Sequence, residues 1–392
     1  MTETPSWIGE RPSAAQIFSL MCCGVVGLMI PGLQPLLLGG LADAHRVAPT
    51  ALGLIATAEL LVMGLTAGLA GSLLKATRLK AWAMGALATL AALDALTPFA
   101  RGDTVTLVRG AGGVPSGVLV WLTISLIART PTPERWAGVY VTTQTLGQFA
   151  MAAIISAFVI VRFGVDGGFA ALSVLCVAST LIVPLLPASL APLPDGATGG
   201  LPNMRGWLAL AVNALVLGAN SGAWVFVGQL SGQAHHAPDV AGEAVSLSLI
   251  CQAAGGLAAT VLAGRVHWFW MLIGCFAGDL AALAALSTLP SALPFLIVTA
   301  AFGFIWLFSN PFLVPLTIEA DPSRRAALLI GGAQLIGGSI APLLASFFVT
   351  DVDARGALAF SATALTIAAA LVVGLHLTRS GPPASSPAGK HT

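Results

Sequence analysis

The chain is short of charge. Lysine, arginine, aspartate and glutamate make up 8% of its 392 residues, roughly a third of the usual share. Those residues gather in short clusters between apolar stretches of about 20 residues, a pattern that excludes a water-soluble globular domain. The net charge is +1, with the basic residues spread over many loops, so no nucleic-acid-binding face is expected. Cysteine is also scarce. Cys22, Cys23, Cys176, Cys251 and Cys275 all lie inside apolar stretches, none at metal-ligand spacing, and they read as packing residues. Ten-residue alternation is absent, which argues against an outer-membrane barrel. A Walker-type phosphate loop is absent too, so neither ATP hydrolysis nor a bound cofactor is expected.

What is present is apolar helix. Hydrophobic residues make up 57% of the chain and its mean hydropathy is +0.91. Spans are predicted near 14–41, 51–74, 81–100, 104–127, 136–161 and 168–187, then near 207–230, 244–263, 268–289, 294–317, 326–349 and 357–377. The first is about 28 residues long and kinked by Pro31 and Pro35, unlike a cleaved signal peptide. With both termini cytoplasmic, inside segments hold twelve Lys/Arg and outside loops four (Arg46, Arg101, Arg162 and Arg355). That bias supports an even number of crossings, and the expected location is a bacterial inner membrane.

The two halves share a pattern. Residues 135–158 read R-x-A-x6-Q-x-x-G-x8-S-x-F, and the same pattern returns without a gap over 325–348, an offset of 190. A second register, offset by 188, matches Gly68-Leu69-Ala70 to Gly256-Leu257-Ala258 and Trp82 to Trp270. Between the halves, 188–206 is rich in Pro and Gly and reads as a linker. The expected architecture is an all-α membrane protein of twelve transmembrane helices in two parallel-repeat six-helix bundles. These are 1–187 and 207–379, joined by a cytoplasmic linker and followed by a disordered tail, 380–392.

Six helices, a linker and six more in parallel repeat resemble the major facilitator superfamily over nearly the whole chain. Local motifs agree in part. The loop from Gly71 to Lys80 keeps the family's Gly71 but has Lys75 where an Asp belongs. In the fourth span, Arg109 is followed by Gly113 and Gly117. The fifth-span Gly-Pro signature of drug/proton antiporters is missing, and Ala341-Pro342 stands in the eleventh. The resemblance implies a transport path between the halves, lined mainly by helices one, four, seven and ten.

Four ionisable residues fall within spans: Glu59, Asp94, Arg109 and Asp279. Charge inside a bilayer is costly unless paired or hydrated, so each is a candidate for proton coupling. Glu59, Asp94 and Arg109 sit at similar depth, which makes an arginine–carboxylate cluster feasible; the plainer reading is a static pair that orients helices. Asp279 has no Lys or Arg in the second-half spans to neutralise it. It is expected either protonated or facing water in the central cavity.

Polar uncharged and indole side chains fall where a path would run. The substrate-binding candidates are Gln34, Trp121, Gln144, Gln148, Asn220, Trp224, Trp306, Asn310 and Gln334, with Asn213 nearby. Indoles offer broad apolar contact and one donor, which suits an amphipathic or ring-bearing solute. For each amide the competing role is an interhelical bond, and for each indole lipid-facing packing. Trp7, Trp207, Trp268 and Trp270 lie at span ends and fit interface anchoring. His235-His236 reads as a solvated loop. Gly64, Gly68, Gly113 and Gly117 allow close helix approach, and Pro115, Pro311 and Pro315 allow bends.

The leading functional expectation is a secondary active transporter, not an enzyme, moving a small anionic or neutral amphiphile by alternating access. Its partners would be that solute, protons and the lipid bilayer, with the chain acting as a monomer. The missing antiporter signature leans toward uptake. Proton-driven drug or metabolite efflux in the same fold is the alternative. A lipid-modifying membrane enzyme is a third, disfavoured because its acid, base or metal groups would have to converge.

Overall fold

The computed structural model describes residues 7–74, 76–131, 133–192, 201–262, 265–322 and 325–378. Lys75, Arg324, the central linker residues 193–200 and the tail lie outside them, as do the side chains of Arg135 and Arg325. Among the described residues all regular structure is helical, apart from one bridge between Thr77 and Ser189.

Helix α1 (Ala14–Asp43) starts on a reciprocal cap, in which Gln16 N–H donates to Ser13 Oγ and Ser13 N–H to Gln16 Oε1. It bends at Leu28. Pro35 lies inside it and has no N–H for the carbonyl one turn back, that of Pro31. The Trp224 indole takes that carbonyl instead, at 3.2 Å. There follow α2 (Leu52–Leu73), α3 (Leu79–Leu96), α4 (Asp103–Ile127), α5 (Pro133–Ile154) and α6 (Val161–Ser179). The second half holds α7 (Met204–Gln233), α8 (Val240–Leu262), α9 (Trp268–Ser287), α10 (Ala292–Ala320), α11 (Ile330–Ser346) and α12 (Arg355–Leu377).

Among the described residues ten segments are long and apolar enough to cross a membrane, and α11 is apolar but shorter. One of the ten, Trp136–Leu185, runs for 50 residues and contains both α5 and α6. It breaks at Gly164 (φ 63°, ψ −167°), a conformation open to glycine alone, after a π-helical stretch Ile155–Ile160. Helix six was expected to begin near 168; the chain instead turns at Gly164 and resumes helix at once.

Packing repeats between the halves. Helix α2 packs on α4 and α8 on α10, α3 on α6 and α9 on α12, α1 on α5 and α7 on α11. Gly147 approaches α1 so closely that a Cβ would stand 2.8 Å from Val25 Cγ1. Gly337, 190 residues on, lies tighter still on the Ala214 carbonyl of α7, at 2.0 Å. His45 and His235, also 190 apart, both take φ 55° just beyond the ends of α1 and α7.

The halves meet along three seams. In α1–α7, Gly228 leaves no room for a Cβ beside the Pro35 carbonyl and faces Gly39. In α2–α11, Gly53 abuts the Pro342 carbonyl and Leu343 N–H donates to Thr57 Oγ1 at 3.0 Å. In α5–α8, Gly242 abuts Ser156. All lie toward the end away from the termini, where one apolar core runs through both halves, from Leu33 and Leu37 to Phe226 and Leu249. At the termini end the first half has a separate core around Leu20, Leu87 and Leu122. The beginning of the linker folds back there, with Leu79 N–H donating to Ala188 O and Leu190 N–H to Ala76 O. His236 departs from the solvated loop expected for it. Its Nε2 contacts the Pro290 carbonyl at 2.8 Å and its ring meets Phe295 edge-on, because the turn after α7 folds onto α10.

Candidate substrate cavity and buried charge cluster

Glu59 on α2, Asp94 on α3 and Arg109 on α4 are buried together. Arg109 is 0% exposed, Glu59 2% and Asp94 1%. Arg109 Nη2 pairs with Glu59 Oε1, and Nη1 donates to Asp94 Oδ1 at 2.6 Å and to Thr97 Oγ1 at 3.3 Å. The Phe169 ring of α6 lies beneath the guanidinium, its centroid 5.5 Å from Cζ. The α2–α4 approach that permits this depends on glycine: a Cβ on Gly113 would fall 2.5 Å from the Glu59 carbonyl oxygen. Gln34 stands beside Glu59. Among the described residues, Glu59 Oε2, Arg109 Nε and Gln34 Nε2 have no hydrogen-bond partner. The cluster thus holds one cation against two carboxyl groups. It carries one net negative charge when fully ionised and none with one proton added.

The equivalent places in the second half carry hydroxyls. Gly303, 190 beyond Gly113, presses on Ser248 as Gly113 presses on Glu59, and Thr299 lies 190 beyond Arg109. Ser248 and Thr299 are 0% exposed, and their hydroxyls have no partner among the described residues. Asp279 is also 0% exposed, and neither of its oxygens has a partner among the described residues. It does not line the cavity below.

That cavity, of about 1130 Å³, lies at the termini end between α1, α2, α4, α5 and α11. Its wall is mostly apolar, with Met63 and Gly64 one turn beyond Glu59 on α2 and Val120 and Trp121 on α4. Its polar lining includes Ser125, Arg129, Tyr140 and Gln144. Of the substrate-binding candidates, Trp121 and Gln144 line it. Gln334 instead donates to Asn213 Oδ1 at 3.2 Å, and Gln148 to the Leu28 carbonyl in the α1–α5 seam. Trp224 meets Trp306 edge-on at 6.0 Å. Asn220 is buried with neither amide atom bonded to the described residues, as is the Asn310 amide oxygen. Arg109 is not in the cavity wall; among the described residues the cation there is Arg129. Sequence reasoning missed Arg129, counted as a loop charge, and Tyr140, whose one signal was being the lone tyrosine of the chain.

The fold is similar to that of several solved transporters. A bacterial homolog of the human lysosomal transporter Spinster, inward-facing and occupied, superposes with a TM-score of 0.63 at 13% identity, covering 94% of this chain and 97% of that one. The same homolog in its inward-facing, unoccupied form gives 0.56 at 13% identity, covering 93% and 94%. The peptide transporter POT in complex with sulfate gives 0.68 at 12% identity, covering 95% and 96%. No family model matches the sequence, and no curated protein does.

Proposed function

We propose that this chain is a proton-coupled secondary transporter that takes up a small anionic or neutral amphiphile by alternating access, as a monomer in a bacterial inner membrane. The observation that carries the coupling is the buried cluster of one arginine with two carboxyls. A proton taken up by Glu59 or Asp94 weakens an ion pair that clamps α2 or α3 to α4. Helix α2 enters the cavity wall one turn beyond Glu59 and α4 about three turns beyond Arg109, so proton and solute act on the same helices. The missing fifth-span signature favours uptake over efflux.

Twelve crossings in two six-helix bundles, 1–187 and 207–379, are part of the same reading. A 50-residue helical run would be about 75 Å long at 1.5 Å per residue, far beyond a hydrocarbon core of about 30 Å. Two crossings with a turn at Gly164 fit it. With termini cytoplasmic, as the basic loops favour, the cavity opens inward and the closed seams face outward. The test is flux in proteoliposomes after a pH jump. Gradient-driven accumulation that is lost in Glu59→Gln or Arg109→Gln while counterflow persists is the expected result. Accumulation unchanged in both variants would remove the cluster from coupling.

A further inference from the structure

The cavity contains a charge that has no opposite among the described residues. Arg129 lies just past the end of α4 and is 5% exposed. Its Nε donates to the Ala191 carbonyl and its Nη1 to the Ser125 carbonyl, both at 2.6 Å, and both acceptors are neutral. Nη2 has no hydrogen bond to the described residues. Among those residues no carboxylate lies within ion-pair distance; Glu10 lines a smaller cavity on the other side of Arg129 but does not pair with it. A guanidinium stays charged under all ordinary conditions. Burial pulls the pKa of Arg129 below its usual value with nothing opposing the shift, as fits a cation without a counter-ion.

The Tyr140 ring on α5 lines the same cavity, while its hydroxyl is turned away from it, buried beside Gly24 of α1. Gln144 lies one turn further along α5. Across from Arg129 and Gln144 the wall is apolar, formed by Leu28, Met63, Val120, Ile124 and Leu335 with the Trp121 ring. Arg109, also buried in this half, is paired with Glu59 and Asp94 and lies outside the cavity wall.

We infer that the cavity binds an amphipathic monoanion, its carboxylate or phosphate head on Arg129 and its apolar body along the α2–α4 wall. This names the substrate class of the transport reading and rests on it for the ligand's passage, though not for its binding. Arg129 would then do two things at once: hold the linker at Ala191 and neutralise the incoming head, so that a bound anion completes a network the protein leaves open.

Equilibrium binding to the full chain in nanodiscs, without a pH gradient, tests it. The probes are decanoate, decyl phosphate, decanol and decyltrimethylammonium, with inorganic phosphate as the tail-less control. The two anions should bind roughly tenfold more tightly than the neutral and cationic homologues, and inorganic phosphate should not compete. Arg129→Gln should erase the preference. Because that change also cuts the tether to Ala191, Gln144→Glu, which leaves the tether intact and puts a carboxylate in the same cavity, serves as the second variant and should weaken anion binding roughly threefold or more. Equal affinity for all four amphiphiles, or an anion preference unchanged in both variants, would overturn the inference. Inorganic phosphate competing as well as decyl phosphate would overturn the amphipathic ligand. Proton flux measured in parallel keeps the two readings apart: anion preference without proton coupling supports this site and sinks the coupling.

Discussion

Gly113 and the backbone of Glu59 are in contact, and that contact brings Arg109 to its carboxylates. One helical turn beyond Arg109, Gly113 lets α4 close on α2 until a Cβ would meet the Glu59 carbonyl oxygen at 2.5 Å and Met63 N at 2.8 Å. Both atoms belong to helical backbone and cannot swing aside. Gly113→Ala should therefore push the helices apart at a cost of about 1–3 kcal/mol. The measurement is thermal unfolding with Gly85→Ala as control, since Gly85 has nothing within 4 Å of where its Cβ would be. Equal melting temperatures for the two variants would contradict the packing described.

Arg109 holds two buried carboxyls apart from each other's charge. Arg109→Ala leaves them without a cation, and losing one partner of a buried pair typically costs about 3–5 kcal/mol. The expected outcome is a lower melting temperature and no gradient-driven accumulation. Adding Glu59→Gln to Arg109→Ala should recover part of the stability, because it removes one of the two stranded charges. No recovery in the double variant would mean that the two side chains do not share a cluster.

Gln144 and Gln334 occupy the same place in the repeated pattern but differ in surroundings. Gln144 lines the cavity, whereas Gln334 is bonded to Asn213. Gln144→Ala should raise the apparent KM for solute with little change in melting temperature. Gln334→Ala should instead lower stability by about 1 kcal/mol through the lost amide bond and leave KM alone. Reversed effects would exchange their roles.

Trp224 satisfies a carbonyl that Pro35 leaves open. Trp224→Phe keeps the aromatic contact with Trp306 but strands the Pro31 carbonyl, at a cost of about 1–3 kcal/mol. Adding Pro35→Ala restores an N–H to that carbonyl and should offset part of the loss, read as a partial return of the melting temperature.

Asp353 ties the outer end of α7 to the loop before α12. Its Oδ1 accepts from Gln233 Nε2 at 3.0 Å, and its carboxylate accepts from Arg355. Hydrogen bonds from Arg355, then from Gln233, hold its pKa well below the usual carboxylate range. A depressed folded-state pKa gives stability that is present above the unfolded value of about 4 and lost as pH falls below it. Asp353→Asn should therefore lower the melting temperature slightly between pH 5 and 8, with the difference from the parent shrinking below about pH 4. A difference independent of pH would leave ionisation out of the contact.

The helices were legible because lipid demands runs of about 20 apolar residues, and such runs need no tertiary context to be seen. The charge cluster was legible by depth, since Glu59, Asp94 and Arg109 count to similar heights in adjacent spans. Rotation about each helix axis was not. Identical pattern positions placed Gln144 toward open space and Gln334 against Asn213, because α5 and α11 have different neighbours. Arg129 looked like an ordinary loop charge, since nothing local announces that residues 188–191 fold back over it. The π-helical stretch before Gly164 had no sequence signal of its own.

The uneven placement of charge has an electrical consequence. The Glu59–Arg109–Asp94 cluster belongs to the first half, and the counterparts Ser248 and Thr299 are neutral. A membrane voltage does work only on net charge, up to about 2.3 kcal/mol per elementary charge for every 100 mV. The deprotonated cluster offers voltage a handle, and the protonated one does not. Voltage would thus drive one stroke of the cycle and leave the other electrically silent.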